Sequence, residues 1–325
     1  MNIGRPMEDC LAKLRMDVEK GTMDRRRLIQ GLGLSAAAAI AGIAVPRAGA
    51  AGEGFKAVAW NHISHNVSDV AKSRDFYVDL FGMKPTWDDG IQSELDFGDP
   101  SAADSLYIRK VKPGNKVGVD HLAWSVDNWV KDRAEAELKR LGLNPTPGGP
   151  VTWNVKDPDG FTVQIIAKTG GFPGGVVPGS KIDDGQKNLK EIPAPSGKGF
   201  KAIGAVVTLN VSDIARSRDF YSRLLGMKVI YYNPEEPNSE CFLRFGSNDA
   251  LVLRKSQPID NKPNIDHLAI VVANYNADAA ETELKRRGLA PEPQTKFAWT
   301  IHDSDGYPIL VAGQGVLKGK AGFGA

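Results

Sequence analysis

The sequence predicts an α+β fold of four βαβββ modules in two tandem halves, and three observations carry the prediction. Beyond residue 54 the chain repeats itself at an offset of 144 to 146 residues. Within each half, a short alternating strand twice runs into an amphipathic helix, and each helix is followed by further strand-like runs broken by Gly-containing turns. A length of 325 residues with 42% apolar content supports about two compact cores.

In chain order, the first segment stands apart from the fold. Residues 1–50 carry a charged start, an apolar run from Leu32 to Val45 and the small-residue stretch Ala48-Gly49-Ala50, the pattern of a cleaved export signal. Arg25 and Arg26, followed by Arg27-Leu28-Ile29, resemble a twin-arginine signal, with Met23 as a plausible start. The apolar run is short and rich in Ala and Gly for a membrane span. The expectation is therefore a periplasmic or extracytoplasmic protein, exported folded, with no membrane association after cleavage. Cys10 would leave with the signal and Cys241 would remain alone, so no intramolecular disulfide is expected. The front end carries more than the whole formal charge of +2, leaving the rest of the chain slightly acidic, and no basic stripe interleaved with aromatics follows it, which argues against nucleic acid.

The first half is expected over residues 55–169. A strand around His62 leads to Asp69 as helix N-cap, then to a helix with Phe76, Tyr77, Leu80 and Phe81 on its apolar side, stopped by Gly82. A second strand, Asp120 to Val126, leads to a helix with Val130, Ala134, Leu138 and Leu141 at three-to-four spacing, stopped by Gly142. Strands flank the Asp-Pro-Asp-Gly turn at 157–160. Residues 170–199, rich in Gly, Pro and Lys, read as a linker. A second copy is expected over 200–315, with a tail from 316 to 325. There, "NVSDVAKSRDFYVDLFGMK" returns as "NVSDIARSRDFYSRLLGMK", "DHLA" returns unchanged, and "DPDG" returns as "DSDG".

These phrases resemble the vicinal oxygen chelate superfamily of glyoxalases, bleomycin-resistance proteins and extradiol dioxygenases. The resemblance spans both halves and implies two tandem domains, each a cupped sheet made from two modules. It further implies metal ligands on the first and last strands of the modules, which fall on His62, His121 and Gln164, with Tyr107 approximately where glyoxalases place an acid. Gln164 departs from the pattern, in which an acid follows the turn. The set implies one divalent metal, without distinguishing Fe, Mn, Zn or Ni.

Strand alternation supports part of this assignment. His62, Ser64 and Asn66 share one face, whereas His65 shares the other with Ile63 and Val67 and reads as a packing or hydrogen-bonding residue. Tyr107 is the candidate catalytic residue, and Ser64 and Arg109 are candidates for substrate binding. Comparison of the halves sharpens the choice. The counterparts of His62, Tyr107, His121 and Gln164 are Val206, Val252, His267 and Leu310. Three polar positions have become aliphatic, so a metal site is expected in the first half alone, with the second half as scaffold or hydrophobic pocket. Arg109 is matched by Arg254, and His302 sits exposed beside a turn.

No nucleophile elbow, Walker loop, dinucleotide glycine pattern or Cys-x-x-Cys pair is present. Three functions follow: a divalent-metal lyase, isomerase or dioxygenase acting on a small substrate with vicinal oxygens; a binding protein that sequesters a small molecule without turnover; or a silent scaffold. Two complete halves allow one chain to close both cups, as a monomer or within a homodimer.

Overall fold

The computed structural model describes residues 54–319, apart from 101–103, 128, 150–151, 168–188, 190–191, 193–194, 198, 237–239 and 256–262. The export signal and most of the expected linker lie outside the described residues.

The first half runs β1 (Ala57–Val67), α1 (Val70–Phe81), β2 (Lys84–Asp88), β3 (Gln92–Phe97), β4 (Asp104–Lys110), β5 (Gly118–Val126), α2 (Lys131–Arg140), β6 (Thr146–Gly149), β7 (Thr152–Lys156) and β8 (Thr162–Ala167). The second half repeats the order: β9 (Ala202–Val211), α3 (Ile214–Leu225), β10 (Lys228–Tyr232), β11 (Glu240–Phe245), β12 (Asp249–Lys255), β13 (Asn264–Val272), α4 (Ala277–Arg286), β14 (Glu292–Thr295), β15 (Ala298–His302) and β16 (Pro308–Ala312). Each half forms one eight-stranded sheet, ordered β2-β3-β4-β1-β5-β8-β7-β6 in the first and equivalently in the second. This is the α+β arrangement of two tandem domains that the repeats predict. A 3-10 turn, Gln314–Lys318, follows β16, and its Val316 and Leu317 are buried. The second half therefore continues past residue 315, because these two side chains supply core that a free tail would leave exposed.

Local chemistry sets the helix ends. Asp69 accepts a hydrogen bond from Lys72 N at 3.0 Å, and Asp213 does the same for Arg216 N at 2.9 Å, so each carboxylate satisfies a backbone donor that the first helical turn leaves open. Gly82 and Gly226 close α1 and α3 at φ 62° and 63°, a left-handed conformation that side chains disfavour.

The repeated motifs also lock the halves together. Asp157 Oδ1 accepts from the backbone N–H of Asp159 and Phe161, which orders its turn, while Oδ2 accepts from Tyr221 O–H at 2.9 Å in the other half. Asp303 mirrors it, ordering its own turn through Asp305 N and Tyr307 N and accepting from Tyr77 O–H at 3.1 Å. Trp60 Nε1–H donates to Ala205 O at 3.1 Å, and its ring packs edge-on against Phe245. One core, running from Trp60, Tyr77 and Trp124 to Tyr221 and Leu251, thus serves both sheets.

At the same seam Asp104 and Asp249, related by the repeat, are both buried and hydrogen-bonded to each other. Asp104 accepts from Trp60 N at 2.9 Å and Asp249 from Ala205 N at 3.0 Å. Burial first, and then the neighbouring carboxyl, hold Asp104 well above the usual carboxylate range, and burial pushes Asp249 up to about 7. A raised folded-state pKa stabilises the fold below the unfolded value of about 4 and loses that stabilisation as pH rises through the folded value. The unfolding free energy from urea titrations is therefore expected to fall from pH 5 to pH 8, by at most about 1.4 kcal/mol per pH unit for one shared proton. Asp249→Asn should flatten the slope, and an equal slope in the variant would refute the assignment.

Candidate metal centre

Strand order brings the predicted residues to one cupped face. β1 lies at the sheet centre between β4 and β5, and β8 follows β5. Ser64 is opposite both Tyr107 and His121, whereas His62 is opposite Ala123, which is opposite Gln164. His62 and Gln164 thus flank Ala123, whose methyl leaves the space above it open.

His62 and His121 converge. Their Nε2 atoms lie 3.1 Å apart, with the rings near-perpendicular. Each Nδ1 is engaged from behind. His121 Nδ1 meets Asp120 Oδ1 at 2.9 Å, and His62 Nδ1 meets Asn61 Oδ1 at 3.0 Å. Burial would raise the Asp120 carboxyl, but the hydrogen bond from His121 and the charges of His121 and Arg109 take it down to about 2, so it stays ionised and can only accept. Asn61 Nδ2 donates to Ser125 Oγ at 3.2 Å, which turns Oδ1 towards the imidazole. Both Nδ1 atoms therefore carry the proton, and both Nε2 atoms present lone pairs to one point. Burial, then the neighbouring His121 and Arg109, hold His62 well below the usual imidazole range, which keeps it neutral.

Two lone pairs facing each other at 3.1 Å repel unless a proton or a cation lies between them. Donor chemistry and orientation fit a divalent ion, and imidazoles backed by a carboxylate and an amide are the usual supported form of a metal-binding histidine. Among the described residues no group of three or more His, Cys, Asp or Glu could hold a metal, so a third protein donor comes from outside those four residue types. Gln164 is half-buried on the shared face; its backbone is paired with β5 and β7, and its side-chain amide makes no hydrogen bond among the described residues.

The other predicted residues are placed less simply. Tyr107 lies beside His62, at 5.7 Å between ring centroids, but its hydroxyl donates to Gln92 Oε1 at 2.7 Å. Burial raises its pKa, so it stays a phenol. Arg109 donates to Asp120 Oδ2 at 2.7 Å, and its charge is already matched. Ser64 is fully buried, its hydroxyl close to Asp120 without a hydrogen bond of full geometry. His65, on the opposite face, joins the seam: its Nε2 meets Asp303 Oδ2 at 2.9 Å.

Three contributors escaped the sequence reading. Asp120 was legible as the acid before each histidine of the repeated "DHLA". Asn61 was not, because alternation assigns it to the other face, and only a bulge between Trp60 and His62 brings it back. Glu94, buried and directly opposite Tyr107, accepts from Ser105 Oγ at 3.2 Å and adds a carboxylate to the cup wall.

The second cup keeps the frame without the centre. Asp266 Oδ2 is bound by His267 Nδ1 at 2.7 Å and Arg254 Nη1 at 3.3 Å, as Asp120 is bound by His121 and Arg109. Val206, Val252, Leu310 and Phe242 take the positions of His62, Tyr107, Gln164 and Glu94 and form a second apolar cluster.

With this geometry in view, comparison with known proteins is consistent. The family model of the Glyoxalase/Bleomycin resistance protein/Dioxygenase superfamily matches residues 59–165 and 203–309. The chain belongs to that superfamily. A lactoylglutathione lyase of Arabidopsis thaliana is 25% identical over 185 residues, covering 52% of this chain and 55% of the relative. The chain thus spans about half the length of that curated relative. Among solved structures, the 2,3-dioxygenase LapB from Pseudomonas sp. KL28 superposes with a TM-score of 0.59 at 15% identity, over 79% of this chain and 93% of that one. The Mn(II)-bound glyoxalase from Novosphingobium aromaticivorans gives 0.55 at 17% identity, over 80% and 83%. At these identities the likeness is one of fold.

Proposed function

We propose that the first half is the active site of a divalent-metal enzyme acting on a small substrate with vicinal oxygens, as a lyase, isomerase or dioxygenase. The observation that carries the reading is the His62–His121 pair, with both Nε2 atoms aimed at one point 3.1 Å apart and both Nδ1 atoms held from behind. His62, His121 and the Gln164 amide oxygen would hold the ion, which supplies Lewis-acid activation of bound oxygen atoms. The chain's own residues do the rest. Asp120 and Asn61 fix the tautomers and hold the rings in place. Tyr107, with its hydroxyl on Gln92, forms a rigid wall beside His62. Glu94 is the buried carboxylate placed to accept a proton in the cup, and Arg109, anchored on Asp120, sets the polarity of its rim.

One observation favours a second reading. With no acidic side chain grouped with the two histidines as a ligand among the described residues, the cup also suits a protein that sequesters a small molecule without turnover. Metal content separates the two. Protein purified without chelators should carry about one divalent ion per chain, by elemental analysis and by calorimetric titration of chelated protein with Mn2+, Zn2+, Ni2+ and Fe2+; failure to bind any of the four removes the enzyme reading. Gln164→Glu should raise affinity for the bound ion about tenfold or more, by placing a negative charge on the third donor. Unchanged affinity would take Gln164 out of the ligand set.

The signal-like features of residues 23–50 support export to the periplasm as part of the same proposal.

A further inference from the structure

The second cup has an apolar floor, with Gln294 among the polar residues at its edge, and yet is not filled. Valines replace the larger His62 and Tyr107, and a cavity of about 120 Å³ remains above Val206, Val252, Leu310 and Phe242. Val316, from the closing 3-10 turn, completes the lining. A copy kept only as scaffold gains by packing its interior to ordinary density, since an empty apolar cavity costs stability in proportion to its volume. This cavity also keeps a built polar corner.

At that corner Asp266 Oδ2 accepts from His267 Nδ1–H at 2.7 Å. His267 Nε2 is then an acceptor, and the Thr208 hydroxyl donates to it at 3.1 Å. In the first cup, the matching histidine nitrogen faces His62 instead. Thr208 is 2% exposed, and with its proton committed to His267 its oxygen keeps lone pairs open to the cavity. Arg254, at the mouth, is bound by both Glu240 and Asp266, at 2.7 and 3.3 Å. Two carboxylates against one engaged guanidinium disfavour an anion. A dry apolar cavity of about 150 Å³ accepts a benzene ring.

From these observations we propose that the second half is a separate binding site for a small neutral molecule with a flat apolar body of about six carbon atoms and one hydroxyl, its O–H donating to Thr208 Oγ1. The site is independent of the metal reading for the first cup.

Phenol is the probe, titrated calorimetrically into the full chain, with benzene and benzoate as comparisons. Saturable binding of one phenol per chain is expected. Thr208→Val, which keeps the shape and removes the hydroxyl, should weaken phenol about tenfold and leave benzene unaffected. Ala269→Leu, which fills the cavity, should abolish binding of both while circular dichroism confirms the fold. His62→Val, in the other cup, should change neither. The proposal is overturned by absence of saturable phenol binding, by equal phenol affinity in Thr208→Val, by benzoate binding more tightly than phenol, or by loss of phenol binding in His62→Val.

Discussion

His62→Val is expected to abolish metal binding in the first half while leaving the fold intact. Valine already occupies the matched position 206 in the second half, where it is buried in an apolar cluster, so the backbone of this strand tolerates the residue. What the substitution removes is one of the two convergent nitrogens, and a lone imidazole with an amide is a weak site. Replacing a residue that only supports a ligand lowers affinity about 10- to 100-fold. Removal of a ligand itself should therefore cost at least about 100-fold, read as the dissociation constant by competition with a chelating indicator. Asp120→Asn gives the graded control. It leaves both rings in place but weakens the hold on His121 and Arg109, and should cost about 10- to 100-fold. Stoichiometric ion in His62→Val at unchanged affinity would place the metal elsewhere and end the proposal for this cup. The neutral state of His62, enforced by burial, works in the same direction, because a protonated ring would have to lose its proton before binding.

The parts of this architecture that were legible in the sequence are those that had to be conserved twice for the fold to close. The aspartate of "DPDG" and "DSDG" orders its own turn and grips a tyrosine of "SRDFY" across the seam, so both phrases recur in both halves. Three site candidates, His62, Tyr107 and Gln164, were legible for the opposite reason, as positions where the copies differ, whereas His121 is matched by His267. What stayed hidden depends on register. The bulge that turns Asn61 towards His62 breaks the alternation on which strand reading rests, and the burial of Glu94 follows from the pairing of β3 with β4. The partner of His65 lies 238 residues away, beyond any local pattern.

That distant partner makes the two turn aspartates unequal, and Asp303→Ala should be the more damaging of the matched pair. Asp303 accepts from His65 Nε2, Tyr77 O–H and two backbone N–H groups with its side chain fully buried. Its removal orphans all four donors, at a cost of about 3–5 kcal/mol. Asp157 holds the same turn and the matching Tyr221, but Leu209 stands where His65 would be, so one fewer donor is lost, and Asp157→Ala should be milder by about 1–2 kcal/mol. The pH dependence separates them further. Burial alone would raise both carboxyls. At Asp157 burial wins and the pKa is raised, whereas at Asp303 the hydrogen bond and charge of His65 reverse it and the pKa is lowered. The stabilisation from Asp303 is accordingly present above about pH 4 and lost as pH falls through its depressed folded value. That from Asp157 is present below about pH 4 and lost as pH rises through its elevated one. Asp303→Asn should thus destabilise most at neutral pH, and Asp157→Asn should cost little there. His65→Leu, which gives the first half the residue of the second, should move Asp303 towards the behaviour of Asp157. Urea midpoints for the three variants at pH 4 and pH 7 decide the matter, and equal losses at both aspartates would show that His65 has no part in the asymmetry.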